Sequence, residues 1–257
     1  MKILITGGNG YIAKSLYSKF KDKYKVKVIT RQTFDLTNGD LMREWFRGQY
    51  FDVVIHTAIK GGSRLYVDDD TIIKDNLAMH NNLLANKIQY DKFISFGSGA
   101  ELFMPDTPYG ISKKIIATSI LNSENCYNLR IFGVFDENEL TTRFIKSNIL
   151  RYLKKEPMVI HTNKIMDFFY MQDLVNLVDH YIINSDLQKE INCCYDQKYT
   201  LMNIANIINS LDDHKVKIQI ENKSKLEFYC TYNNQFPIDV IGLEKAIDMT
   251  YKAISHE

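Results

Sequence analysis

The sequence predicts an α/β chain: a doubly wound parallel sheet with a small C-terminal cap interleaved with it. Three observations carry that prediction. Apolar runs of strand length alternate with amphipathic runs of helical length over the first half of the chain, the pattern of consecutive β-α-β units. The first strand leads through a glycine-rich turn into the first helix. Later strands run into small polar residues at their carboxyl ends, where sheets of this kind hold ligands.

Met1 to Ile5 read as a buried strand, with Ile3, Leu4 and Ile5 apolar and not alternating. Thr6-Gly7-Gly8-Asn9-Gly10-Tyr11-Ile12-Ala13 follows, then a helix through Leu16, Tyr17 and Phe20. Strand, glycine turn and helix in this order form a dinucleotide-binding fingerprint of the Rossmann type. Gly7 permits the tight turn, and Gly10 lets backbone approach a pyrophosphate where Tyr11 and Ile12 open the helix and its unpaired N–H groups favour anions. Ala13 is small enough for helix and strand to pack closely. The second strand, Lys25 to Arg31, ends on Thr30-Arg31 where an acid often holds a ribose 2′-hydroxyl, with Asp35 a few residues on. An arginine there pairs with a 2′-phosphate, so the expected cofactor is NADP(H), with NAD(H) as the alternative.

Asp40 to Phe46 are expected to be helical with Leu41, Trp45 and Phe46 inward, and Phe51 to His56 to form the third strand, opening into Thr57-Ala58-Ile59-Lys60-Gly61-Gly62. Lys74 to Gln89 read as a long helix with Leu77, Leu83 and Leu84 inside, and Phe93 to Ser98 as the fourth strand. Tyr109 to about Ser123 make a helix with Ile111, Ile115, Ile116 and Ile120 as its apolar face, and Tyr127 to Phe132 a fifth strand. The tail is less regular: helices at Thr141–Lys154, Met171–Ile183, Leu201–Leu211 and Gly242–Ser255, with extended pieces at Pro157–His161, Ile191–Tyr195 and Lys215–Ile220. The expected division is a dinucleotide domain of residues 1–133 and about 165–195, and a substrate-binding cap of about 134–164 and 196–257.

The net charge of +1 among 257 residues gives no electrostatic case for nucleic acid or an anionic membrane. No signal peptide precedes the first strand and no apolar run approaches a membrane span, so a cytoplasmic protein is expected. Cys126, Cys193, Cys194 and Cys230 have no metal-like spacing and read as free thiols, with Cys193 and Cys194 on opposite faces of a strand; no metal site is expected.

Tyr109-Gly110-Ile111-Ser112-Lys113 sets a phenol and an ammonium four residues apart on one helix face. The ammonium favours the phenolate, so the tyrosine can exchange a proton with a carbinol while hydride passes to or from a nicotinamide. Ser98, at a strand end, can hydrogen-bond the same oxygen. Glu101 just beyond it reads either as a sugar contact or as a solvent-facing acid, and His56 and His80 have no metal-forming company.

These residues together resemble the extended short-chain dehydrogenase/reductases, the NAD(P)-dependent epimerase/dehydratase group acting on nucleotide sugars. The likeness runs over roughly residues 1 to 180 and includes Asp167-Phe168-Phe169-Tyr170-Met171-Gln172-Asp173-Leu174, similar to a degraded form of the group's Arg-Asp-Phe segment. It implies that Ser98, Tyr109 and Lys113 are a catalytic triad, that Lys113 also binds the nicotinamide ribose, and that Asn76 is the asparagine opening the group's fourth helix. Within the group, the stretches Arg31 to Asp35-Leu36-Thr37, Ala58-Ile59-Lys60-Gly61-Gly62 and Phe96-Gly97-Ser98 most resemble the GDP-L-fucose synthases. That likeness implies NADPH, with cofactor contacts at Asp35, Leu36, Ala58 and Lys60.

The resemblance has departures. Ala100 stands where those synthases have a cysteine, and Gly133-Val134-Phe135-Asp136 supplies no histidine, so the acid and base for epimerising neighbouring carbons are missing. Only ten residues separate Ser98 from Tyr109. Gly99-Ala100 replace the acidic pair of related dehydratases. The expected activity is therefore NADPH-dependent reduction of the C4 keto group of a nucleotide-linked 4-keto-6-deoxysugar. The alternative is an NAD-dependent nucleotide-sugar 4-epimerase, and the complete Ser-Tyr-Lys set argues against a non-enzymatic scaffold. The group's usual dimer, built on the helices of Asn76–Lys87 and Tyr109–Ser123, implies a homodimer.

Overall fold

A computed structural model describes residues 1–63, 67–232 and 236–256, with the backbone alone at 223–225. The elements follow in the order β1 (Lys2–Thr6), α1 (Tyr11–Phe20), β2 (Lys25–Ile29), α2 (Gly39–Phe46), β3 (Phe51–His56), α3 (Thr71–Ala85), β4 (Tyr90–Ser98), α4 (Ala100–Phe103), α5 (Pro108–Leu121) and β5 (Cys126–Ile131). The remainder comprises β6 (Val134–Phe135), α6 (Phe144–Leu153), β7 (Met158–Met166), β8 (Phe169–Tyr170), α7 (Met171–Ile183), β9 (Glu190–Cys193), α8 (Leu201–Asn209), β10 (Ile218–Tyr229) and α9 (Leu243–Ser255).

The chain divides into two compact units, Met1–Arg130 with Val178–Ile191, and Ile131–Leu177 with Asn192–Glu257. Residues 165–177, expected with the sheet, fall in the second unit instead. The principal sheet runs β2-β1-β3-β4-β5-β9, and the pairs β1–β2, β1–β3 and β3–β4 are parallel. Its order reverses direction between β1 and β3, which opens a crevice at their carboxyl ends. Ile3, Leu4 and Ile5 are wholly buried, as a central strand covered on both faces requires. One layer of the core joins Leu4, Val54 and Phe93 from three strands to Met42 and Phe46 of α2, Leu83 of α3 and Ile116 and Ile120 of α5. The second unit contains two short parallel ladders, β7–β10 and β6–β8.

Helix existence follows the sequence expectation more closely than helix orientation does. In α2, Met42 and Phe46 join the core of the sheet face while Leu41 is 45% exposed; the helix is capped by Asn38, whose side chain accepts the Leu41 N–H at 3.1 Å. In α5, Ile116 and Ile120 are buried but Ile115 faces out. In α3 the inward positions include two polar residues, Asn76 and His80. Cys193 ends β9 and Cys194 lies beyond it; both are buried, and the Cys194 thiol donates to Thr231 O at 3.4 Å. Among the described residues none of the four cysteines forms a disulfide. Among the described residues no helix is long and apolar enough to cross a membrane, and no cluster of His, Cys, Asp and Glu could hold a metal.

Candidate active site

The carboxyl ends of β1, β2 and β3 border a cleft of about 290 Å³ in the first unit. Gly7 and Gly10 form one wall, Thr30, Arg31 and Asp35-Leu36-Thr37 another, and Ala58, Ile59 and Lys60 a third. Gly7 has φ +71°, and a Cβ there would lie 2.7 Å from the Ala58 backbone, so only glycine fits. Gly10 opens α1 without a side-chain cap, and the helix has no acid in its first turn. The first-turn N–H groups and the positive end of the helix dipole are thus left for an anion, which suits a dinucleotide pyrophosphate. Tyr11 and Ile12 open α1 but their side chains do not line the cleft.

At the far wall Arg31 is exposed, beside an Asn9 Nδ2 to Gln32 Oε1 hydrogen bond of 2.8 Å. The Asp35 carboxylate accepts the Thr37 N–H and hydroxyl, both at 2.9 Å; these bonds, with Arg31 nearby, hold its pKa below the usual value. Leu36 is buried, and its carbonyl accepts from Asn82 Nδ2 at 2.9 Å. Lys60 Nζ pairs with Asp75 at 2.7 Å.

Asn76 lies beside the cleft and not in its lining. It is fully buried, its Oδ1 accepting Lys60 N–H at 2.9 Å and its Nδ2 donating to Lys60 O at 3.0 Å and Ser112 Oγ at 3.1 Å. It pins the loop after β3 to α5. That loop carries Ala58 and Lys60 in the cleft and, two residues after Lys60, Gly62 against the ring of Tyr109, where a Cβ would come within 2.7 Å of Tyr109 Cζ.

Thr107 caps α5 by accepting Gly110 N–H at 3.1 Å, and Pro108 takes the first helical position. This start sets Tyr109 at the second position, half-buried, and Lys113 one turn later, its Nζ 5.8 Å from the Tyr109 ring centre. Lys113 is buried, and Nζ donates to Phe96 O of β4 at 2.6 Å. Burial drives its pKa down to about 8, with Glu101 opposing the fall. β4 ends two residues later at Ser98, whose hydroxyl oxygen accepts Ala100 N–H at 3.2 Å and so keeps its own proton for donation. Ser98 and Lys113 are therefore anchored to one strand end.

Both sequence readings of Glu101 need correction. It is 5% exposed and turned inward, accepting Ser98 N–H at 2.7 Å and Arg130 Nε at 2.8 Å. His56 and His80 are buried, the first bonded to Thr6 Oγ1 at 2.8 Å and the second to Ser119 Oγ at 3.0 Å; burial lowers both pKa values.

Among curated proteins, a GDP-6-deoxy-D-talose 4-dehydrogenase of Aggregatibacter actinomycetemcomitans is 22% identical over 247 residues, covering 85% of this chain and 83% of that protein. Two solved structures share the fold at 16% identity. One is a UDP-glucose 4-epimerase of Thermotoga maritima with UDP-glucose, TM-score 0.81 over 100% of this chain and 99% of that one. The other is a GDP-mannoheptose C4 reductase of Campylobacter jejuni with NADP bound, TM-score 0.80 over 98% and 97%. The model of the NAD dependent epimerase/dehydratase family matches residues 3–194, the stretch that contains the glycine loop, the cleft and the Ser98, Tyr109 and Lys113 set. The chain belongs to that family.

Proposed function

We propose that this protein reduces the C4 keto group of a nucleotide-linked 4-keto-6-deoxysugar with NADPH. A bound nicotinamide cofactor supplies the hydride; the chain's own residues hold it and manage the proton. Gly7, Gly10 and the backbone of Tyr11 and Ile12 would hold the pyrophosphate, Arg31 the 2′-phosphate, and Asp35, Leu36, Ala58 and Lys60 the walls beside them. Ser98 donates a hydrogen bond to the carbonyl oxygen, which polarises it. Tyr109 delivers the proton to the oxygen of the nascent alcohol, and the Lys113 ammonium stabilises the phenolate left behind.

The observation that carries reduction over epimerisation is Arg31. It lines the cleft at the end of β2, while the nearby Asp35 carboxylate is committed to Thr37. A cationic group at this point favours the phosphorylated cofactor, which a reductase consumes and a recycling epimerase does not need. The relatives named as a 4-dehydrogenase and a C4 reductase act at the same carbon of a GDP-sugar by their names.

The test is NADPH oxidation by the purified protein with a panel of GDP-, UDP- and dTDP-linked 4-ketosugars. Stoichiometric oxidation with at least one member is expected. Interconversion of hexose epimers with added NAD and no net cofactor turnover would establish the epimerase instead. Exposed Ile115 and Leu121 on α5, with Ile88 just after α3, support a homodimer through these helices. Light scattering should give twice the chain mass, and Ile115→Glu with Leu121→Glu should halve it.

A further inference from the structure

We propose that Glu101 is a positioning residue, fixing the Ser98 hydroxyl through the β4 backbone and holding the Lys113 ammonium in place by its charge. The part concerning turnover rests on the reductase reading; the part concerning Lys113 does not.

Two hydrogen bonds close the turn that carries Ser98. Glu101 Oε1 accepts Ser98 N–H at 2.7 Å, and Ser98 Oγ accepts Ala100 N–H at 3.2 Å. The first fixes the backbone of the serine and the second fixes its oxygen. Glu101 Oε2 faces the other way and accepts Arg130 Nε at 2.8 Å; Arg130 Nη2 donates to Glu190 Oε2 at 2.6 Å. Asn128 Nδ2 donates to the same Glu190 oxygen at 2.9 Å. One guanidinium thus stands between two carboxylates, which leaves one negative charge in excess beside a buried strand end.

Lys113 balances that excess. Tyr109 on its own helix lies beside it, and its charge interacts electrostatically with Glu101 of α4, His56 at the end of β3 and His80 on α3. Burial holds both imidazoles neutral, so among the described residues Glu101 is the anion that keeps Lys113 charged. With it the four charges of Glu101, Arg130, Glu190 and Lys113 sum to zero. An unbalanced buried charge would instead be neutralised by a shift of its own pKa.

Gly97 records the same requirement. It lies inside β4, where glycine weakens a strand, and a Cβ there would be 2.5 Å from Glu101 Oε1 and 2.6 Å from Asn128 Oδ1. The strand gives up a side chain at this place so that the carboxylate can fold beneath Ser98. A solvent-facing loop acid would need none of these partners.

Two variants separate the two roles. Glu101→Gln keeps an acceptor for Ser98 N–H and removes the charge; Glu101→Asp keeps the charge and is one methylene too short to reach Ser98. In the full chain carrying 13C-labelled lysine, with the Lys113 signal assigned by its loss in Lys113→Arg, E101Q should lower the Lys113 titration midpoint by about one pH unit or more. E101D should leave that midpoint near the wild-type value, with kcat lower by about a hundredfold and NADPH affinity unchanged. A wild-type Lys113 midpoint in E101Q, or wild-type kcat in E101D, overturns the proposal. E101D keeps a negative charge beside Arg130 and Lys113, so its midpoint and kcat decide the matter if E101Q does not fold. Wild-type protein inactive on every 4-ketosugar, with the Lys113 midpoint moved in E101Q, would remove the reductase reading and leave the electrostatic role standing.

Discussion

Two buried ionisable groups, one in each unit, reach the same pKa from opposite directions. Lys113 falls to about 8 and Glu139 rises to about 8, each chiefly because burial penalises its charged form. Their surroundings differ. Lys113 is set against Glu101, whose own pKa burial raises while its ion pair with Arg130 draws it back down. Glu139 is 5% exposed and accepts one backbone N–H, from Lys146 in the first turn of α6 at 3.1 Å; Arg143 and Lys146 draw its pKa down less than burial lifts it, and Asp136 adds to the lift. Burying a charge is tolerable when an opposite charge or several hydrogen bonds replace water. The first unit provides the opposite charge where the proposed chemistry needs an ammonium. The second provides a cap bond that a neutral carboxyl can also accept.

The sharpest way to break this comparison is to neutralise each group in turn. Lys113→Met should lower 4-ketosugar reduction by about a thousandfold, because the proton donor loses the cation that stabilises its phenolate. Glu139→Gln retains the carbonyl acceptor for Lys146 N–H and should leave turnover within about twofold. Steady-state NADPH oxidation by both variants decides it. Equal losses would show that the buried acid also serves the reaction, and the contrast between the units would fail.

Arg31 extends the contrast to a charge in water. Exposed at the cleft edge, it bears no desolvation cost, and its value lies in what it pairs with. Arg31→Ala should raise KM for NADPH by about tenfold to a hundredfold, the range for a lost charge-assisted hydrogen bond, while KM for NADH stays near its wild-type value. The melting temperature of the protein alone should not move. Equal effects on the two cofactors would take the 2′-phosphate away from Arg31.

What could be read from the chain divides along the same physical line. The glycine loop, the first five strands and the Tyr109–Lys113 pair are local patterns: each depends on residues within about one turn or one strand of one another. Glu101 was not legible because its meaning depends on Arg130, 29 positions on, and on Glu190 beyond that. Only the clue of Gly97, a glycine inside a strand next to a serine, was within reach. Asn76 is marked in the sequence by the family resemblance alone, because its partners Lys60 and Ser112 come from different elements and make it a pin beside the cleft. The start of α5 could have been placed at Pro108 from Thr107-Pro108 alone, a capping residue followed by proline. β10 runs on through the polar stretch Glu221 to Lys225, which offers no alternation to read; among the described residues its partner is β7, and the register shifts between Asn222 and Glu227.

The smallest effect concerns stability, and its sign distinguishes the two groups. Glu139 has its folded pKa raised from 4.5 to about 8, so its contribution is fully present below pH 4.5 and is lost as pH rises through about 8. Lys113 has its folded pKa lowered from 10.5 to about 8, so its contribution is present above pH 10.5 and is lost as pH falls through about 8. Between pH 5 and 9 the acid should therefore make the wild type lose stability relative to Glu139→Gln, whose side chain does not ionise. We expect the melting temperature of E139Q to exceed that of the wild type by a few degrees at pH 9 and to converge with it at pH 5. Parallel melting curves for the two proteins across that range would mean that Glu139 titrates as an ordinary surface acid does, and that the second unit, like the first, supplies its buried charge with a partner.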